Sequence, residues 1–322
     1  MAETIDILLL LALPASGKSE VRRYLDSMEP ARCRADFHIG PTVQLDDFPY
    51  VHLMRRVDQE LIARGSAGVF FKGPDRSFAD PWDWGTLIHL LNEDYDDMRS
   101  RRPINPDSAG RQLMQRLDAA SLKAGAKARM ERLPGDLFSA VADALEGEAR
   151  EMLAEKQAGY PDSLDGRTVV MEFARGGADG STMPLEPPFG YAHSLKMLSP
   201  EILERSAILY IWVTPEESRR KNDDRADPDD PGSILHHGVP MEVMLGDYGC
   251  DDIEWLLDQS DVPGTVRIEA HGRVYHLPLG RFDNRVDKTS FIRGDVSDWD
   301  PSAVAALHEG LKSAMGRLPD LT

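Results

Sequence analysis

Residues 5–19 read IDILLLLALPASGKS, and the fold turns on them. Ile7–Leu11 is an unbroken apolar run, closed by Pro14 and Gly17. Such a run between turn residues is the pattern of a strand buried on both faces, as in a parallel sheet. It is far shorter than the roughly 20 apolar residues of a membrane helix. Its acidic flank, MAETID, is unlike the basic start of a secretion signal. Val21, Tyr24 and Leu25 then fall at helical spacing, so the stretch is predicted to run strand, tight loop, helix.

A loop so placed turns successive backbone N–H groups inward and forms a nest for phosphate oxygens at a helix N-terminus. ALPASGKS, residues 12–19, has the composition for it. Gly17 permits close backbone approach, Lys18 bridges terminal phosphates and the Ser19 hydroxyl ligates Mg²⁺. Pro14, Ala15 and Ser16 complete the loop, and Ala12 stands where the motif has its first glycine, a position that mainly needs a small side chain.

Outward from the loop, strands alternate with helical segments. A strand is predicted near Thr42–Leu45, ending in Asp46-Asp47, and then a helix carrying Val51, Met54, Val57 and Leu61. Val69–Lys72 reads as a short strand or a buried turn. From Trp84 to about Glu155 the chain is rich in Ala, Leu, Arg, Glu and Met and is broken at Pro103, Pro106 and Pro134. That composition predicts a helical insertion over about residues 84–158, within one domain because strand signals resume after it. The further strands are Thr168–Met171, Ala207–Val213 and a hairpin of Thr265–Glu269 with Val274–Leu277 around His271-Gly272. Asp300 and Pro301 mark the start of a last helix with Val304, Leu307 and Leu311 as its apolar stripe. The fold class is therefore α/β, with helices layered on a mainly parallel sheet and an antiparallel edge hairpin.

The whole chain has 322 residues and a formal net charge of -18. That charge opposes binding to nucleic acid or an anionic membrane surface, while a local basic pocket remains free to take a small anion. Two cysteines, Cys33 and Cys250, give no disulfide framework and no zinc pattern, and suit a reducing cytoplasm. His236-His237 lacks acidic or cysteine partners at metal-ligand spacing. The two tryptophans of DPWDWG, residues 80–85, are expected in core packing or at the face of the insertion, with covering a substrate as the competing role.

Four stretches together resemble the adenylate-kinase-like P-loop kinases, the group that includes nucleoside, shikimate, gluconate and zeta-toxin-like kinases. They are ALPASGKS, LDDF at residues 45–48, VVMEFARGG at 169–177 and TPEESRRKNDDR at 214–225. The resemblance covers the core of the chain but not the insertion or the C-terminal hairpin. It implies a P-loop NTPase fold and a cytoplasmic enzyme using ATP and Mg²⁺ to phosphorylate a hydroxyl of a small metabolite. It implies that Asp46 or Asp47 contacts the acceptor hydroxyl. Strand alternation turns only one of them to the site, Asp46 by preference, and capping of the next helix is the competing role. It also implies that Glu172 holds Mg²⁺ with Ser19. Arg175 either binds an anionic group of the substrate or pairs with Glu172 at a surface turn. The segment from about 215 to 248 corresponds to a lid whose arginines, Arg219, Arg220 and Arg225, close on the phosphates, against the alternative of a solvated charged helix. A regulatory NTPase switch, a toxin or antibiotic-modifying phosphotransferase, and a binding protein without catalysis are the competing functions.

Overall fold

The computed structural model describes residues 4–225, 238–316 and 318. In chain order the elements begin with β1 (Ile7–Leu11), α1 (Lys18–Asp26), α2 (Pro30–Phe37), β2 (Thr42–Asp46) and α3 (Phe48–Ala63). Three long helices follow, α4 (Asp83–Ser100), α5 (Ala109–Ala124) and α6 (Gly135–Ala158), and then β3 (Thr168–Phe173). After α7 (Gly190–Lys196) and α8 (Pro200–Glu204) come β4 (Ser206–Trp212), α9 (Pro215–Arg225), α10 (Met241–Gly246) and α11 (Ile253–Asp258). The chain closes with β5 (Thr265–Ala270), β6 (Arg273–Asp283) and α12 (Pro301–Met315).

The six strands form one sheet in the order β2-β3-β1-β4-β6-β5. The first five run parallel and β5 pairs antiparallel with β6. β1 and β3 are interior strands buried along their whole length, which is why both read as largely apolar runs. Along β1 the pleat sends Leu8 and Leu10 to one face and Ile7, Leu9 and Leu11 to the other. The first face is covered by α1, α2 and α12, through Val21, Tyr24, Phe37, Leu307 and Leu311. The second is covered by α4, α7, α8 and α11. Each of these leucines contributes about 1.5–3 kcal/mol on burial.

A second core lies outboard of that face, where α3, α5 and α6 pack together. α4 serves both cores. Ile88, Leu91, Tyr95 and Met98 meet the sheet, while Trp84, Leu87 and Leu90 meet the other helices. A helix buried on two sides carries apolar residues on more than one face, and α4 does so despite its many polar residues. The expected insertion is thus α4, α5 and α6, with its breaks at residues 101–108 and at Pro134.

One expectation needs correction and one open alternative is decided. The hairpin is present, turning through His271 and Gly272 at φ 52° and 71°. However, its second strand continues to Asp283, and its far half pairs with β4 as a fifth parallel strand. The apolar run ends at Gly280, so the polar tail of the strand gave no sign of it. Residues 69–72 form a turn with one isolated bridge, Phe71 to Phe78, and not a strand. The carboxylate of Asp58 takes the N–H groups of Val69, Phe70 and Phe71, which removes them from any ladder.

Candidate functional site

The loop between β1 and α1 is held by its carbonyl groups. Tyr191 donates to Ala12 O at 3.0 Å, Ser218 to Pro14 O at 2.7 Å and Asn284 to Ser16 O at 2.8 Å. Ser16 closes on Leu13 O at 2.6 Å. Ala15 takes φ 54° and Gly17 φ 107°, a left-handed pair that bends the chain into the helix. A Cβ on Gly17 would lie 2.5 Å from Thr289 Oγ1, so close packing as well as φ demands glycine there. With the carbonyls engaged, the N–H groups of Ala15, Ser16, Gly17 and Ser19 have no acceptor among the described residues. Lys18 is buried, its Nζ 3.5 and 3.4 Å from Ala12 O and Leu13 O.

The acidic groups stand beside this loop. Asp46 ends β2 directly opposite Glu172 of β3 in the parallel register. Arg22, one turn along α1 from Lys18, lies between them, its Nη1 2.9 Å from Glu172 Oε2 and 3.7 Å from Asp46 Oδ2. One guanidinium therefore serves two carboxylates. Burial and then the charges of Glu172 and Asp47 push the Asp46 carboxyl up to about 7.

Asp46 and Asp47 both line the same cavity, contrary to the expected alternation. Asp47 has already turned helical, at φ -84° and ψ -14°, so the strand period no longer applies to it. Neither carboxylate caps α3 as a simple N-cap. Asp46 Oδ1 accepts from Phe48 N at 2.9 Å, and Asp47 makes no side-chain cap bond.

Arg175 also departs from expectation. It is 2% exposed and its Nη1 lies 2.8 Å from Asp47 Oδ2, with Nη2 on Trp84 O at 3.1 Å. The guanidinium rests over the Trp84 and Phe173 rings at 5.1 and 5.2 Å. It is walled off from the cavity and pairs with Asp47, not with an incoming anion and not with Glu172. Its role is to hold Asp47.

The cavity has a volume of about 290 Å³ and runs from Lys18 and Ser19 past the acidic groups to a wall of rings. Phe71 stacks on Phe78 with centroids 4.7 Å apart, Phe78 meets Trp84 edge-on at 4.8 Å, and Trp84 meets Tyr248 edge-on at 5.5 Å. Of the two tryptophans, Trp84 packs in the helical core and lines the cavity, while Trp82 lies against His193 at 5.3 Å. Arg55 covers Phe71 at 4.0 Å. Arg22, Arg55, Asp247 and Tyr248 were not singled out in the sequence. Only Arg22 had a signal, its i+4 spacing from Lys18, which puts the two on one helix face.

Arg219 and Arg220 of α9 do not line the cavity. Arg220 is exposed and paired with Glu217 and Asp224, the solvated charged face that was the competing reading. Arg219 pairs with Glu216 at 3.4 Å and leaves Nη1 buried without a hydrogen bond. The fully buried cation of this helix is Lys221, 2.9 Å from Asp287. The side chain of Arg225 lies outside the described residues, as do residues 226–237 of the expected lid and the pair His236-His237.

Among the described residues no three His, Cys, Asp or Glu side chains are grouped to hold a metal ion. Cys33 and Cys250 are unpaired, and burial raises both thiols, that of Cys33 to about 11, as befits structural rather than reactive cysteines. No helix among the described residues is long and apolar enough to cross a membrane. Comparison of the chain with protein-family models, curated proteins and solved structures finds no match.

Proposed function

We propose that this chain is an ATP-dependent phosphotransferase on a P-loop kinase fold, moving the γ-phosphoryl group to a hydroxyl of a small metabolite. One observation carries the reading: a strand-to-helix loop in which the N–H groups of Ala15, Ser16, Gly17 and Ser19 have no acceptor among the described residues lines the same cavity as Asp46. The topology supports it. The chain leaves β1 toward β2 and leaves β3 toward β4, on the opposite side of β1. The C-terminal ends of β1 and β3 thus form a switch point, where open α/β sheets bind ligands.

The loop N–H groups and Lys18 hold the β- and γ-phosphates of ATP. Ser19 and Glu172 present hard oxygen donors suited to Mg²⁺, and the acidic pair shares a single arginine, so a divalent cation relieves their repulsion. The bound ion supplies positive charge between the phosphates. Asp46 accepts the proton of the acceptor hydroxyl as its oxygen bonds to the γ-phosphorus and the bond to ADP breaks. Only the ionised carboxylate accepts a proton, so transfer rises with pH through about 7. Arg175 fixes Asp47 and thereby the turn that aims Asp46.

The test is a metabolite-pool assay for ATP-dependent gain of one phosphate, run beside Lys18→Ala. Transfer is expected to fall by about 10²–10³-fold in the variant, as when a preorganised charge at the reacting group is removed. Full activity of Lys18→Ala, or failure of a fluorescent ATP analogue to bind the native protein, overturns the proposal.

A further inference from the structure

At the end of the cavity away from the loop, the ring wall meets a buried carboxylate that the described residues satisfy only in part. Asp247 follows α10, is 6% exposed and lines the cavity, and its Oδ2 is buried with no hydrogen-bond partner among the described residues. A buried acceptor without a donor costs about 1–3 kcal/mol, which a ligand N–H or O–H at that point recovers. Burial also raises the Asp247 carboxyl above the ordinary range, with Ser77 and Lys72 opposing. Beside it, Trp84 and Tyr248 present ring surface to the same space.

Arg55 decides the charge of the ligand. It lines this end too, and its guanidinium donates only to the backbone carbonyls of Pro74 and Arg76. Among the described residues no carboxylate pairs with it at ion-pair distance, although the chain as a whole is strongly acidic. A cationic amine brought to Asp247 would meet this cation, which Asp75 and Asp58 offset only from beyond ion-pair distance. A neutral donor would not.

From the unsatisfied Asp247 oxygen, the rings beside it and the nearby Arg55 cation, we infer that the phosphoryl acceptor is a hydroxyl compound built on a flat unsaturated ring bearing a neutral N–H or O–H. The ring lies against Trp84 and Tyr248, the donor bonds Asp247, and the hydroxyl points back to Asp46. Arrangements of flat ring, anchoring hydrogen bond and remote reacting group orient a substrate in three places at once, which is what an efficient transfer geometry requires.

This inference rests on the phosphotransferase reading, and its test separates the two. Transfer from labelled ATP is measured to inosine, uridine and pyridoxine, which have such rings, and to gluconate, myo-inositol and homoserine, which do not. Binding of a fluorescent ATP analogue is followed alongside. At least one ring compound is expected to be phosphorylated tenfold or more faster than every other acceptor. Asp247→Asn and Asp247→Leu should each raise the KM for that compound tenfold or more and leave binding of the ATP analogue unchanged. Preference for an acyclic or polyol acceptor, no transfer to any ring compound, or an unchanged KM in both variants overturns the inference while ATP binding leaves the kinase reading intact. Loss of ATP binding in the native protein removes the kinase reading itself.

Discussion

At the loop end of the cavity the groups that meet a ligand are backbone N–H donors, held in place by carbonyl ties to Tyr191, Ser218 and Asn284. At the far end they are rings from the 70–79 turn, from α4 and from the segment after α10, held by stacking and edge contacts. The difference is one of tolerance. A hydrogen-bonded loop with two left-handed residues has a single geometry, because each tie is directional and Gly17 admits no side chain. Ring walls are fixed by volume and shape, and substitutions of similar size leave them largely intact. Under the proposed function, phosphate contacts belong on the first kind of surface and acceptor selection on the second.

Arg175 joins the two ends, since it binds Asp47 beside the loop and the Trp84 carbonyl on the ring wall. Replacing it by leucine is the severest way to break the comparison. Asp47 would be left buried without its cation and Trp84 without its donor, so Arg175→Leu should destabilise the protein by about 3–5 kcal/mol. Urea denaturation reads this directly. A loss below about 1 kcal/mol would mean that the two ends are not joined through this residue.

Asp46→Asn is next in size and bears on the loop end alone. Removing a general base costs about 10²–10⁴ in rate, and a fall of about 10² is expected here because Asp47 and Glu172 remain. The rise in transfer with pH through about 7 should vanish with it. Stability carries the same signature. Because the folded value is raised from 3.8, the folded state keeps its Asp46 proton longer than the unfolded chain. The contribution is fully present below about 4 and is lost as pH rises through about 7. Melting temperatures of the Asn variant should fall less than those of the native protein between those limits. A variant that keeps the native pH profile would remove Asp46 from the chemistry.

What could be read in the chain follows the same division. β1, the loop and α1 were legible because burial on two faces and a tight phosphate-type turn each restrict residue choice over consecutive positions. The ends of β2 and β3 were legible because a carboxylate closing an apolar run is unusual. By contrast, Trp84, Asp247 and Tyr248 come together only through tertiary packing, and nothing local distinguishes them from ordinary core and loop residues. The pairing of Arg175 with Asp47 spans 128 positions, and no pattern in either stretch announces it. Strand alternation failed at Asp47 because β2 ends at Asp46 and Asp47 already has helical dihedrals. The charge run misled at Arg219 and Arg220, which pair with carboxylates of their own helix.

The finest test of the contrast concerns a single tie. The Ser218 hydroxyl, fully buried on α9, donates to Pro14 O at 2.7 Å and is the contact by which that helix holds the loop. Ser218→Ala removes one buried hydrogen bond and leaves the carbonyl bonded to Ser16 Oγ at 3.3 Å, a long contact. The expected loss of stability is therefore only about 1 kcal/mol. If the loop has one geometry because its carbonyls are tied, affinity for a fluorescent ATP analogue should weaken along with stability. The rings at the far end should respond differently, with the KM for the acceptor unchanged. Should acceptor KM shift as much as nucleotide affinity, the two ends are one mechanical unit and the division between a fixed loop and a tolerant wall does not hold.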